Sequence, residues 1–250
     1  MTPISEAEPA LREADLQPTV RLAAEFADLD AGGRLRLAAE RFRGELLATT
    51  SFGAQSAVLL HLLATHAPDI PVVCVDTGYF FPETYQYADQ LQRELGIKVA
   101  FYTSPVTPAR MENTEGRLWE RGTEGIERYG FLRKVEPLNR ALREHGARAW
   151  ISGLRRTQSS DRGKRSFAER QKATTKLYPI LDWSDAMVED YFERHELPRH
   201  PLVDRGFASI GDWHSSRPVE KGASVESTRN NGLRRECGLH LESSDADFQI

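Results

Sequence analysis

Glu45-Leu46-Leu47-Ala48-Thr49-Thr50-Ser51-Phe52-Gly53-Ala54-Gln55-Ser56 runs without a break into Ala57-Val58-Leu59-Leu60-His61-Leu62-Leu63. The short apolar run over 45–51 reads as a strand and the longer apolar stretch as a helix, so the Ser-x-Gly-x-x-Ser turn joins the two. Such a turn offers a phosphate backbone N–H groups, two hydroxyls and the positive end of a helix. An ordinary strand-to-helix turn with serine caps reads the same way, so both meanings stay open on this stretch alone. No Gly-Lys-[Ser/Thr] follows, which excludes a Walker A loop.

The strand–helix alternation then repeats along the chain. Strands are predicted near 45–51, 71–76, 97–102, 147–152 and 176–181, and helices over 54–66, 82–95 and 135–145, with shorter pieces between 107 and 132. Helical spacing also precedes this region, from Val20 to Phe26 and through Leu35, Leu37, Ala38 and Phe42. A further helix from Ser184 to His195 follows it, with Ser184 as N-cap. The pattern predicts an open, twisted, mostly parallel five-stranded sheet with helices on both faces. In such sheets ligands sit beyond the carboxyl ends of the strands, where the strand order reverses. Residues 1–18 read as a mobile leader, 19–214 as the α/β domain and 215–250 as a weakly patterned C-terminal arm.

The totals narrow the possible roles. At 250 residues and a net charge of −4, the chain is large enough for a real core and too acidic for a nucleic-acid coat or a membrane-surface protein. No apolar run reaches the length of a membrane span, and the acidic N-terminus is unlike a secretory signal. Only Cys74 and Cys237 are present, far apart, which points to a reducing cytoplasm and cannot hold a four-cysteine iron–sulfur cluster within one chain. Cys74, between Val73 and Val75, reads as an inert core residue. Cys237 is different: Arg234 and Arg235 precede it and His240 follows, and cations favour the thiolate and can hold an anion against it.

Polar clusters follow the other predicted strands. Asp76-Thr77-Gly78 ends the second, where Gly78 permits close backbone approach to a ligand, although Pro82 and Glu83 also simply start a helix. After the fourth, from Arg155 to Lys172, seven basic residues face two acids, an excess that suits phosphate or sulfate. Arg155, Arg156 and Arg162 belong to this run; Gly153 precedes it, and Arg133-Lys134 adds two cations upstream. No Cys/His spacing makes a zinc site, so no metal is expected.

The stretches SFGAQSAVLLHLL, VDTGYFFPETY, RKVEPLNRAL, WISGLRRTQSSDR, GFASIGDWHSS and RRECGLH together resemble the phosphoadenylyl-sulfate (PAPS) reductase family, in family order from about 45 to 240. The resemblance implies an adenine nucleotide α-hydrolase-like fold and reduction of PAPS to sulfite and adenosine 3′,5′-bisphosphate. It implies attack by Cys237 on the sulfonate sulfur, a cysteine thiosulfonate, and release of sulfite by thioredoxin or glutaredoxin. Sulfate contacts are expected from Lys134, Arg229 and His240, and phosphate and ribose contacts from Ser51, Gly53, Ser56, Arg155, Arg156 and Arg162. Asp76, Thr77, Gly78 and Gly153 are expected to edge the adenosine pocket. The resemblance also implies a homodimer. Relatives that reduce adenylyl sulfate usually hold an iron–sulfur cluster in two cysteine-bearing segments, which here carry Tyr129-Gly130 and Asp212 with Ser215. That points to PAPS without a cluster; a cluster-free adenylyl-sulfate reductase and a silent nucleotide-binding relative are the alternatives. ATP pyrophosphatases of the wider superfamily usually have Asp where this chain has Gln55.

Overall fold

The computed structural model describes residues 13–158, 165–171 and 173–219. The first three strands, β1 (Leu46–Thr50), β2 (Val72–Asp76) and β3 (Val99–Thr103), lie side by side and parallel. On the other side of β1 runs β4 (Ala149–Ile151), followed by β6 (Thr174–Leu177) and the edge strand β5 (Ala168–Gln171), giving the order β3-β2-β1-β4-β6-β5. Only β5 is antiparallel.

Side chains on the central strands alternate between two cores, as a period of two requires. Leu46, Ala48, Val72, Cys74, Ala149 and Ile151 face one core. It is closed by α2 (Ala31–Arg41), α3 (Ser56–His66), α4 (Pro82–Leu95) and α8 (Asp185–Arg194), with α1 (Glu13–Ala27) adding Leu22 and Phe26. Leu47, Val73, Val75 and Trp150 face the other, under Leu138, Ala141 and Leu142 of α7 (Glu136–Glu144). Helices thus cover both faces, as predicted.

The departures have local causes. The strand expected over 176–181 is shorter and shifted, because a turn holding Pro179 ends it. A sixth strand, Ala168–Gln171, pairs antiparallel with it, Gln171 opposite Thr174; its sequence, Ala-Glu-Arg-Gln, carries no apolar alternation to announce it. Helix α1 begins at Glu13, inside the stretch expected as leader. Ser184 caps α8, accepting from the Met187 N–H, and α4 spans 82–95 as predicted.

Between β3 and β4 the chain forms α5 (Pro108–Glu115), α6 (Gly122–Gly130) and a wide π turn (Phe131–Val135) that runs straight into α7. Pro137 explains the wide turn: it has no N–H for the carbonyl four residues back, and its ring crowds that position. Among the described residues no helix is long and apolar enough to cross a membrane.

Candidate active site

Strands β1 and β4 are parallel neighbours in the middle of the sheet, with β2 and β3 on the far side of β1 and β6 and β5 on the far side of β4. A cleft of about 670 Å³ opens beyond their carboxyl ends at this switch point. Ser51 and Gly53 to Ser56 after β1, Ser152 to Arg155 after β4, and the loop from Phe207 to Asp212 line it. The volume suits a nucleotide-sized ligand.

The Ser51–Ser56 turn is held from beneath. Phe52 adopts a left-handed backbone (φ 48°), and its buried ring stacks on Phe101 of β3 at 6.0 Å. Gly53 passes so close to the 207–212 loop that a Cβ would sit 3.3 Å from the Ile210 carbonyl oxygen. Gln55 is the N-cap residue of α3 and makes no side-chain cap, so the hydroxyl caps allowed by the sequence are not what starts this helix. Instead Gln55 Oε1 accepts from Arg155 Nη2 at 2.6 Å. The same Nη2 donates to Asp185 Oδ1 at 2.7 Å, while Nη1 donates to Thr157 Oγ1 and the Trp183 carbonyl. Arg155 is therefore a buried strut between the turn, β4 and the start of α8.

The cleft floor is built from residues far apart in sequence. Asp212, 1% exposed, lies 2.9 Å from Lys134 Nζ through Oδ2. Its Oδ1 accepts from Thr77 Oγ1 at 2.5 Å and its Oδ2 also from Tyr129 Oη at 3.0 Å. His214 Nε2 lies 3.1 Å from the same Tyr129 oxygen and stacks flat on Trp119, 4.0 Å between centroids. A backbone bridge between Phe80 and Asp212 and a bond from the Trp213 N–H to the Tyr79 carbonyl fasten this loop to the segment after β2. Burial alone pushes the Asp212 pKa up; Lys134, the Thr77 hydroxyl and His214 outweigh it and hold the carboxyl well below the usual carboxylate range.

Of the residues singled out in the sequence, Ser51, Gly53, Ser56, Thr77, Lys134, Gly153 and Arg155 line the cleft. Asp76 and Gly78 stand beside it: the Asp76 carboxylate accepts from the Gly78 N–H and the Tyr85 hydroxyl, and Gly78 (φ 76°) packs against Pro108. The structure does not bring Arg156 to the cleft. It bonds the Arg165 carbonyl, lies over Phe167 at 5.2 Å and lines a separate groove between α1 and β5. Arg165, which bonds Glu169, and Arg170 line that same groove, so the described part of the basic run is divided between two sites by the unforeseen strand. Cys74 is fully buried, and burial, with Asp76 nearby, pushes its thiol up, as fits an inert residue. Cys237, His240, Arg229, Arg234, Arg235 and Arg162 lie outside the described residues.

Sequence reading missed Asp212 and Tyr129 as site residues and noted them only as non-cysteine residues in two segments. That pairing was the available signal, for two segments that share a ligand in relatives must be neighbours in space.

Among the described residues each cation lining the cleft faces a carboxylate: Lys134 with Asp212, Arg155 with Asp185, and Arg199 with Glu189. No group of three or more His, Cys, Asp or Glu among the described residues is placed to hold a metal ion.

The mostly parallel sheet with a phosphate-suited turn at its switch point agrees with the adenine nucleotide α-hydrolase-like fold that the resemblance implies. Candida glabrata FMN adenylyltransferase, solved with FAD and inorganic pyrophosphate, has the same fold (TM-score 0.55, 13% identity, 96% of this chain and 83% of that one). The model of the phosphoadenosine phosphosulfate reductase domain matches residues 45–218. A phosphoadenosine 5′-phosphosulfate reductase of Alkalilimnicola ehrlichii is 47% identical over 233 residues, covering 93% of this chain and 94% of the relative. That of Cronobacter sakazakii is 46% identical over 217 residues, covering 87% and 89%. The crystal structure of PAPS reductase from Candida auris, a phosphate complex, superposes with a TM-score of 0.70 at 27% identity, over 84% of this chain and all of that one. The chain belongs to the phosphoadenosine phosphosulfate reductase family and is an oxidoreductase acting on a sulfur group.

Proposed function

We propose that the chain reduces PAPS to sulfite and adenosine 3′,5′-bisphosphate, with Cys237 as nucleophile and thioredoxin, or glutaredoxin, as reductant. The observation that carries this reading is the Ser51–Ser56 turn, which opens the start of α3 onto a switch-point cleft with Lys134 on its floor, in a chain of this family. The adenosine bisphosphate part lies along that turn and Gly153, and the sulfonate faces Lys134.

The Cys237 thiolate attacks the sulfonate sulfur. The bond from that sulfur to the bridging phosphate oxygen breaks, and the nucleotide leaves with the electron pair. One thioredoxin thiolate then attacks the Cys237 sulfur and expels sulfite; the second thioredoxin thiol resolves the mixed disulfide. Sulfur gains two electrons and thioredoxin is left as a disulfide.

Charge supports a role for the arm. The three cations of the described cleft are each matched by a carboxylate, yet the substrate carries a sulfate and two phosphates. The surplus of positive charge comes from Arg162 and, in the arm, from Arg229, Arg234, Arg235 and His240, so the segment that brings the thiol also brings cations. The same reading takes the enzyme as a cytoplasmic homodimer that binds neither membrane nor nucleic acid, which light scattering on the eluted protein tests for the dimer.

Cys237→Ser is expected to bind adenosine 3′,5′-bisphosphate and release no sulfite. Enzyme mixed with PAPS without thioredoxin is expected to carry a sulfonate on Cys237 by peptide mass spectrometry. An adduct on Cys74, or undiminished turnover by the variant, contradicts the scheme. Sulfite release from PAPS against adenylyl sulfate decides the nucleotide, and faster release from adenylyl sulfate overturns the substrate assignment.

A further inference from the structure

A buried carboxylate on the floor of a cleft that receives an anion calls for a reason. Asp212 does not solvate itself: it is 1% exposed, and both oxygens are engaged by side chains from separate parts of the fold. Thr77 follows β2, Tyr129 ends α6, Lys134 lies on the π turn, and Asp212 itself is bridged to Phe80. The ion pair is thus a point where four segments meet, and both members line the cleft, Lys134 being the more open of the two at 13% side-chain exposure against 1%.

We propose that Asp212 is a positioning residue that fixes the Lys134 ammonium at the cleft floor, and that Thr77 and Tyr129 in turn fix the carboxylate; this rests on the function proposed above. A lysine side chain is long and rotamer-rich, so a loose ammonium would find a transferring sulfonate only part of the time. A carboxylate anchored at both oxygens removes that freedom before substrate arrives, which is what preorganised charge stabilisation requires. The π turn serves the same end. It turns both Arg133 and Lys134 inward, Arg133 being 2% exposed with Nη1 on the Val106 carbonyl. Stability alone does not call for such a pair, because apolar residues of similar volume in a buried site are often as stable or more so. The strongly depressed Asp212 pKa agrees with a carboxylate ionised wherever the enzyme is assayed.

The test compares Asp212→Asn, Tyr129→Phe, Lys134→Met and the double variant Lys134→Met/Asp212→Asn in the full-length chain. It measures sulfite release from PAPS with thioredoxin, and adenosine 3′,5′-bisphosphate binding by calorimetry. Asp212→Asn is expected to lower kcat about 30- to 100-fold, as a misplacement of about 1 Å does, with product affinity within about threefold of wild type. Tyr129→Phe, which keeps the ring and loses one bond to Asp212, is expected to lower kcat roughly threefold to tenfold. In the Lys134→Met background neither change has anything further to remove, so the double variant turns over as Lys134→Met does.

Losses that multiply in the double variant, full turnover by Asp212→Asn, or product affinity falling as far as kcat would each overturn the proposal. Should Asp212→Asn fail to fold, Tyr129→Phe decides, and wild-type kcat in that variant overturns it. A wild type that releases no sulfite from PAPS overturns the proposed function and this inference with it; an active wild type without coupling overturns the inference alone.

Discussion

The floor and the rim of the cleft both carry cation–carboxylate pairs, but in opposite surroundings. On the floor, Lys134 and Asp212 have side-chain exposures of 13% and 1%. On the rim, Arg155 is buried but its partner Asp185 is 79% exposed, and Arg199 and Glu189 are both open to solvent. Coulomb attraction between similar groups differs little; what differs is the alternative each carboxylate has when its partner leaves. Asp185 and Glu189 can turn into water, so an incoming phosphate displaces them at small cost. Asp212 has no such alternative, so its pair behaves as part of the framework. Burial of the carboxylate thus separates a fixed tether from an exchangeable counter-ion.

The largest effect expected from this difference is on stability. Lys134→Met leaves Asp212 buried without its cation and is expected to cost about 3–5 kcal/mol, whereas Arg199→Met on the rim is expected to cost under about 1 kcal/mol. The Arg199 guanidinium carbon lies 4.9 Å over the centre of the Phe192 ring, a cation–π contact worth about 0.5–1 kcal/mol at an exposed site, so its loss stays within that limit. Urea midpoints at pH 7 measure both. The Lys134→Met deficit is expected to shrink as pH falls, because an unpaired buried carboxylate escapes its penalty by taking up a proton. Equal losses at floor and rim would erase the distinction.

The rim was more legible in the sequence than the floor. Ser51 to Ser56, Gly153 and Arg155 sit directly after strands, so apolar periodicity plus the switch-point rule finds them without tertiary knowledge. Ser184 and Pro82 announce helix starts by local chemistry, and both starts are where they were predicted. The floor joins positions 77, 129, 134 and 212; Thr77 and Lys134 were each picked out after their own segments, but no local rule relates a carboxylate to a lysine seventy-eight residues earlier. The basic run misled for a different reason. Counting charge between 155 and 172 assumed one loop, but strand pairing takes Arg165 and Arg170 to another groove, and β5 holds its place through backbone bonds that polar side chains neither signal nor prevent.

Acid is expected to loosen the rim before the floor. His200 is fully buried behind the loop that supplies the rim residues Val203 and Phe207; its Nδ1 accepts the Leu202 N–H and its Nε2 bonds Thr84 Oγ1. Burial pushes its pKa down to about 4, against a partial upward pull from Glu83, compared with 6.5 for a free histidine. The folded state therefore favours the neutral ring. That stability is fully present above pH 6.5 and is lost as pH falls toward 4, amounting to about 3 kcal/mol at the acid end. Asp212 stays ionised throughout, so the floor pair outlasts the change. Denaturation midpoints between pH 7 and 4 check this. His200→Gln is expected to flatten that slope, and an unchanged slope would show that other groups carry it.

The smallest effect, and the one of opposite sign, concerns Asp185. It sits in the first turn of α8, where its charge gains a few tenths of a kcal/mol from the helix dipole, and its bond to Arg155 is made by a mostly exposed carboxylate. Asp185→Asn is therefore expected to change stability by less than about 1 kcal/mol, since Arg155 keeps Gln55, Thr157 and the Trp183 carbonyl. Removing one negative charge from the rim makes the wall net positive, so adenosine 3′,5′-bisphosphate is expected to bind about twofold to fivefold more tightly at low salt, with the gain fading as salt screens it. A calorimetric titration at two salt concentrations decides the matter. If Asp185→Asn instead weakens binding, the rim carboxylate orients Arg155 for the ligand, as Asp212 does for Lys134, and the division between tether and counter-ion fails at the rim.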